Sequence, residues 1–463
     1  MRREVLRMER VSYQERGADQ LDGFCLNIFS GEIMGLLPVN SHGLTSLLQL
    51  LQRNMPLRDG YVYYRDVQVN SWRGGAAQQN RVGLIQSESG LVEGLTVADN
   101  IFVLRREFKT WLLKPSVLRK QLKPFLEGID IFISADAYAE ELSAFEKVVV
   151  NVLKYVVAGC KLIVLREIGA NIGEAELEKI HGLLKYYARQ GISFMYIDFH
   201  LDELWRVCDK VAVMANGRVV KILPYGPAAS EAVKSYEEAY IGKARQLMYR
   251  PAPDESGRIS VFEARGITGG LVYNLTFRVA SGECMLLQNA DVQVIGEFLS
   301  FLSGESVPKS GRFLIDSRVI TPYIGGEIAV IQELPTETML FGEMSYLDNL
   351  CFLLDRRMPE VWRKKSVREG VRREYAGLLG DVFGKRVDSL SEIEKYELIY
   401  TRVAIQRPKA VFCVQPFRRA DMELRSRIWE LMKRLMDRGA AVVILAVNTA
   451  DSLFFADRLI RRP

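Results

Sequence analysis

Features that would announce thiol or metal chemistry are scarce in this sequence. Its 463 residues include three histidines, His42, His181 and His200, and six cysteines, Cys25, Cys160, Cys208, Cys284, Cys351 and Cys413. The cysteines stand apart and no C-x-x-C pair occurs, which argues against a zinc site or a disulfide framework. Four of them lie in or beside apolar runs, so buried free thiols in a reducing compartment are expected, with no metal site. No uninterrupted apolar run approaches the ~18 residues of a membrane span, and MRREVLRMER at the amino terminus has no signal-type apolar stretch. A cytoplasmic location is expected, with any place at the inner face of the cell membrane reached peripherally, through a partner. Charge of one sign is also missing: 62 basic residues against 57 acidic ones leave a net +5. The basic clusters Arg105–Arg106, Arg356–Arg357, Arg363–Lys365 and Arg461–Arg462 are short and read as solvated helix faces, so no nucleic-acid partner is expected. What remains is an ordinary globular composition, 48% hydrophobic and 26% charged, long enough for two or more domains.

The most informative segment keeps a functional frame and replaces its working residues. Residues 31–48, GEIMGLLPVNSHGLTSLL, run from an apolar strand (Ile33–Leu37) through a turn into the helix-like LTSLLQLL. A phosphate-binding loop would read G-x-x-x-x-G-K-[ST] here. Its glycines let backbone N–H groups wrap the phosphates, and its Lys reaches the β- and γ-phosphates. Pro38 stands at the first Gly and Leu44 at the Lys, while Gly43, Thr45 and Ser46 stay in register. A Leu cannot neutralise a polyphosphate, and Pro38 removes a backbone donor.

An internal duplication organises the rest. LDGFCLNIFSGEIMGLL (21–37) is answered by VYNLTFRVASGECMLLQ (272–288): an alternating strand, a turn closing on Gly-Glu, then an apolar strand. GLTVADNIFVL (94–104) is answered by EMSYLDNLCFLL (343–354), and the segment 138–170 by 386–418. GISFMYIDFHLDELWRVCDKVAVMANG (191–217) is answered by GAAVVILAVNTADSLFFADRLIR (439–461). Strands alternating with helices in each half imply α/β domains with mainly parallel central sheets. A helical stretch ending in YRPAPDESGR (249–258) reads as the linker.

This order of motifs, together with YIGKARQLMYRPAP between the halves, resembles the tandem ATP-binding cassette protein of bacterial sugar importers of the ribose/galactose/xylose type, over nearly the whole chain. The resemblance implies an α/β fold of two tandem P-loop NTPase-like ATP-binding cassette domains. Each would have a mainly parallel central sheet, an antiparallel β subdomain and a helical subdomain, with boundaries 1–240 and 259–463 around a linker at 241–258. It further implies ATP with Mg²⁺ as cofactors, each nucleotide held between the Walker motifs of one half and the signature motif of the other. The implied partner is a membrane permease.

The residues depart from that pattern at each working position. In the second half the phosphate loop corresponds to LLQNADVQVIGEFL (286–299), with Ile295 at the Lys position and Asp291 adding a negative charge. The family ends its metal-binding strand in Asp-Glu. This chain has Arg166-Glu167 and Val414-Gln415, so Glu167 is a vestige of the catalytic Glu and neither half holds Mg²⁺ in the family manner. Arg166 is expected to form a local ion pair, with Glu167 within reach, or to stand exposed; a phosphate counter-charge in place of Mg²⁺ is the alternative. The signature Leu-Ser-Gly-Gly-Gln becomes Leu142-Ser143-Ala144-Phe145-Glu146 and Leu390-Ser391-Glu392-Ile393-Glu394. Both keep the Ser-x-x-Glu capping box and lose the glycines, with Phe145 or Glu392 expected to obstruct a phosphate. At the switch histidine stands Phe199, with His200 one residue later, and the second half has ILAVNTADSL and no histidine there.

Other positions survive. Asn40, Gly43, Thr45, Ser46 and Gln86 are the remaining nucleotide-contact candidates. The regions Gln86–Ile101 and Gln332–Leu350 fit the groove that receives a permease in the family. Three readings follow: a catalytically inactive cassette pair that docks on a permease or a regulatory protein; a carbohydrate transporter ATP-binding subunit with residual ATP binding or weak hydrolysis; and a free sensor of another ligand. The first is favoured.

Overall fold

Two kinds of strand pattern alternate along the chain, and each selects its own kind of sheet. The computed structural model describes residues 3–15, 18–71, 82–86, 90–102, 120, 122, 124, 131–224, 260–289, 291–321, 327–352, 354, 361–379, 382–447 and 456–462. The expected linker at 241–258 and the clusters Arg105–Arg106 and Arg356–Arg357 lie outside them. The chain divides into two compact units, Met1–Lys243 and Ala244–Pro463.

In the first unit, β1 (Glu4–Glu15) and β2 (Ala18–Phe29) pair antiparallel, followed by β3 (Ile33–Pro38) and α1 (Leu44–Gln52). Then come β4 (Asp59–Tyr64), β5 (Val67–Ser71), β6 (Val82–Gln86), α2 (Val97–Phe102), α3 (Ala144–Val157) and β7 (Leu162–Arg166). The unit continues through α4 (Glu174–Arg189), β8 (Ser193–Ile197), α5 (Leu201–Val207), β9 (Lys210–Ala215) and β10 (Arg218–Pro224). An antiparallel sheet runs β2-β1-β4-β5, and a second sheet runs β10-β9-β3-β8-β7-β6, parallel except for β10. Every residue of β3 and β8 is buried, as expected of strands covered on both faces. The two sheets and α1 enclose one core, in which Phe24, Ile28, Leu44, Leu47 and Met195 meet.

The second unit repeats the plan. It contains β11 (Ser260–Thr268), β12 (Leu275–Ala280), β13 (Cys284–Asn289), α6 (Val292–Ser303), β14 (Ser310–Ile315), β15 (Arg318–Ile320) and β16 (Ile328–Ile331). After these come α7 (Pro335–Thr338), α8 (Tyr346–Cys351), α9 (Val361–Leu379), α10 (Glu392–Gln406), β17 (Ala410–Val414), α11 (Met422–Asp437), β18 (Ala441–Ala446) and β19 (Arg458–Arg462). Its sheets run β12-β11-β14-β15, antiparallel, and β16-β17-β18-β13-β19, parallel. Helices α8, α9 and α10 gather a separate helical core around Tyr346, Leu350, Tyr375 and Leu398.

The duplication extends to single hydrogen bonds. After β2, the Phe29 N–H donates to Glu32 Oε2 at 2.8 Å, and after β12 the Ala280 N–H donates to Glu283 Oε2 at 2.7 Å. The same two carboxylates take Lys210 at 2.9 Å and Arg458 at 3.0 Å. Ile33 N–H donates to Asp209 and Cys284 N–H to Asp457, both at 2.8 Å. The Gly-Glu turns thus owe their repetition to one solution for joining the two sheets. All six cysteines are free and five are buried, but Cys25 is exposed, since it lies on an outward position of β2.

Candidate functional site

The carboxyl end of the first parallel sheet gathers the residues singled out from the sequence. Gly43 ends the turn after β3 with φ +76 and hands the chain to α1, whose first residue Leu44 is 1% exposed. A Lys reaching for phosphate would need to face outward, whereas Leu44 belongs to the core. Asn40 is committed to the β9–β10 turn: its Nδ2 donates to Asn216 Oδ1 at 2.7 Å, and Asn216 N–H donates to Asn40 Oδ1 at 3.1 Å. Ser46 is buried and its hydroxyl donates to Glu15 Oε2 at 3.4 Å, while Thr45 is exposed. Pro38 remains in the sheet beside Met214.

Strands β6 and β7 bring Gln86 opposite Arg166. Arg166 Nε donates to Glu167 Oε1 at 2.9 Å, the local ion pair expected from the sequence. Glu167 is held in the left-handed region at φ 49, and its counterpart Gln415 follows suit at φ 42. Phe199 fills the switch position and is 4% exposed, in the core. His200 turns back: its Nδ1 lies 2.8 Å from Asp198 Oδ1, which also accepts the His200 N–H.

In the second half, the start of α6 carries its own anion. Asp291 caps the helix by accepting the Gln293 N–H at 2.8 Å, and Ile295 at the Lys position is 7% exposed. One turn on, Glu297 accepts three consecutive backbone N–H groups of the β11–β12 loop, from Gly270, Leu271 and Val272, at 2.6, 2.8 and 2.7 Å. Those bonds outweigh the desolvation of the group and hold its carboxyl below the usual range. Beyond β16, Gln332 is exposed, while Glu333 takes Gln415 Nε2 at 2.9 Å and pairs with Arg418. At the end of β17, Val414 is 7% exposed and the Gln415 amide is engaged with the Glu333 carboxylate.

The two capping boxes are present as the sequence suggested. Ser143 and Glu146 satisfy each other's backbone N–H groups at the start of α3, and Ser391 and Glu394 do so at α10. Phe145, at the first turn of α3, is 8% exposed. Sequence reasoning missed Asn216, Glu297 and the buried Asn100 and Asn349. The repeated Asp-Asn pair in VADN and YLDN was the available signal for the last two.

These features define an α/β protein with the layout of P-loop NTPase-like ATP-binding cassette domains. Residues 21–168 match the ABC transporter family model. Over nearly its full length the chain is similar to sugar-import ATP-binding proteins. One is a ribose import ATP-binding protein of Bacillus licheniformis, 23% identical across 95% of this chain and 91% of that one. Another is a putative ribose/galactose/methyl galactoside import ATP-binding protein of Agrobacterium fabrum, 23% identical across 98% and 93%. A galactose/methyl galactoside import ATP-binding protein of Treponema denticola is 20% identical across 98% and 93%. Among solved structures, an ATP-binding cassette in its ADP conformation superposes with a TM-score of 0.45 at 20% identity, covering 52% of this chain and 99% of that one. Among the described residues no cluster of three or more His, Cys, Asp or Glu could hold a metal ion, and no helix is long and apolar enough to cross a membrane.

Proposed function

We propose that this protein is a catalytically degenerate cassette subunit, related to sugar-import ATP-binding proteins, that acts by docking to a membrane permease rather than by hydrolysing ATP. The observation that carries this reading is Asp291, whose carboxylate already occupies the amino terminus of α6, where a nucleotide phosphate would be received. A second anion brought to the same helix start would meet like charge and find the Gln293 N–H already engaged. The first half supports the same reading by different means. Leu44 is packed inward, Asn40 is bonded to Asn216, and Arg166 sits at the metal position with Glu167 as its partner. A metal cation would be repelled there.

The docking part of the proposal rests on the regions Gln86–Ile101 and Gln332–Leu350; Ser87–Ser89 lie outside the described residues. Both regions end in a short helix started by a Thr or Ser whose hydroxyl engages an Asp three residues on, Thr96 with Asp99 and Ser345 with Asp348. Residual nucleotide binding is the second reading, and it draws on the first half alone, where Gly43 keeps its left-handed turn and Thr45 stays exposed. A titration of the full chain with labelled ATP and Mg²⁺ separates the two. No saturable binding is expected. Affinity near micromolar that Ser46→Asp abolishes would overturn the proposal in favour of the second reading. Co-purification with a multi-spanning membrane protein tests the docking part.

A further inference from the structure

Two cations outside the nucleotide site occupy the same place in the two halves. Lys154 follows the capping Ser143 by eleven residues, and Arg402 follows Ser391 by eleven. Each reaches a main-chain carbonyl: Lys154 Nζ donates to Gly90 O at 3.0 Å, and Arg402 Nη2 donates to Met339 O at 2.7 Å. The acceptors are equivalent as well, each ten residues ahead of a fully buried asparagine, Asn100 or Asn349.

That asparagine clamps the same loop two residues further on. Val92 N–H donates to Asn100 Oδ1 at 2.8 Å, and Asn100 Nδ2 donates back to Val92 O at 3.1 Å. In the second half Phe341 N–H donates to Asn349 Oδ1, and Asn349 Nδ2 to Phe341 O, both at 2.9 Å. Beside these anchors the side chains of Val92 and Phe341 stand outward, each 46% exposed. In the second half the ring of Phe341 also meets that of Phe352, with centroids 4.8 Å apart.

The cations pay a desolvation cost for this position. Arg402 is 4% exposed, its Nε is buried without a hydrogen-bond partner, and burial lowers the pKa of both groups. Among the described residues, neither forms an ion pair. A buried charge without a carboxylate is unfavourable, and an apolar chain of similar length would fill the space without that penalty. Its compensation is the charge-assisted bond to the carbonyl, which is stronger than a neutral one.

We propose that Lys154 and Arg402 are positioning residues: a duplicated cation-to-carbonyl latch that fixes loops 90–96 and 339–345 against α3 and α10 and so sets how Val92 and Phe341 are presented. Only the use of the presented side chains rests on the docking reading; the latch itself does not.

Amide hydrogen exchange on the full-length protein tests it, read at Val92 and Phe341 with the amides of β8 and β18 as controls. Arg402→Met is expected to speed exchange in 339–345 at least tenfold and leave 90–96 unchanged, with Lys154→Met doing the reverse. Lys154→Arg and Arg402→Lys are expected to keep protection, which a role in filling space alone would not predict. Unchanged exchange in the Met variants overturns the latch, and so do Lys/Arg exchanges that behave like Met. If Arg402→Met speeds the control amides too, Arg402→Gln against Arg402→Lys carries the test: protection kept only in the Lys variant supports the latch, and equal protection overturns it. Co-purification of a membrane partner is scored on the same variants. Loops that loosen while the partner still binds defeat the docking reading and leave the latch standing.

Discussion

His181 shows a chemically able residue absorbed by packing. It lies on α4 with its ring edge-on to Tyr196, centroids 5.9 Å apart, and its Nε2 is buried without a hydrogen-bond partner. Burial lowers its pKa to about 4; Lys185 and Arg206 push the same way and Asp198 opposes them. An unfolded histidine titrates near ~6.5. Between these values the unfolded chain takes up a proton that the folded chain refuses, so this contribution to stability is complete above ~6.5 and is lost as pH falls toward 4. Denaturant unfolding of the wild type at pH 7.5 and pH 5 is therefore expected to show a loss from this residue of about 2 kcal/mol. His181→Leu should lack that increment; an equal pH sensitivity in the variant would show that the imidazole is not held neutral. Arg166 is settled differently, its charge met by Glu167 beside it.

The turn between β3 and α1 requires a glycine at position 43. An added Cβ on Gly43 would lie 2.1 Å from Gln20 O, and its φ of +76 disfavours any side chain. Gly94 has a similar φ of +74 but nothing within 4 Å of an added Cβ. Gly43→Ala should therefore cost roughly 2–4 kcal/mol, from backbone strain and overpacking together, while Gly94→Ala costs about 1 kcal/mol from the backbone alone. Equal losses in thermal or denaturant unfolding would mean that β2 does not press on the turn as described, and that Gly43 serves something other than packing. The elements were legible where their pattern is local. Continuous apolar strands such as β3 and β8, and the Ser-x-x-Glu starts of α3 and α10, are written in four to six consecutive residues. The burial of Phe145 was not legible, because the sequence names a large side chain but not the helix face that is buried. Nor was the role of Glu297, whose three donors lie 25 to 27 residues earlier in a loop that only the packed sheet brings near.

At the scale of the whole molecule, the proposed reading draws on both halves, each through its own residues. The first half uses Leu44, Arg166 and Phe199; the second uses Asp291, Ile295, Val414 and Gln415. One measurement reads all of them at once, because a ligand that binds only the folded state must raise its stability. At a concentration one hundred times its dissociation constant, a nucleotide contributes about 2.7 kcal/mol. For units of this size each kcal/mol moves the melting temperature by roughly 2–4 °C. A competent cassette in millimolar Mg-ATP should therefore melt several degrees higher, whichever half held the nucleotide. For this protein the expected shift is smaller than about 1 °C, in Mg-ATP and in Mg-ADP alike, because Asp291 and Arg166 already satisfy locally the groups a nucleotide or its metal would need. A shift of several degrees would contradict the degenerate reading. Its loss in Ser46→Asp would then assign the binding to the first half, and its persistence there would direct attention to the second.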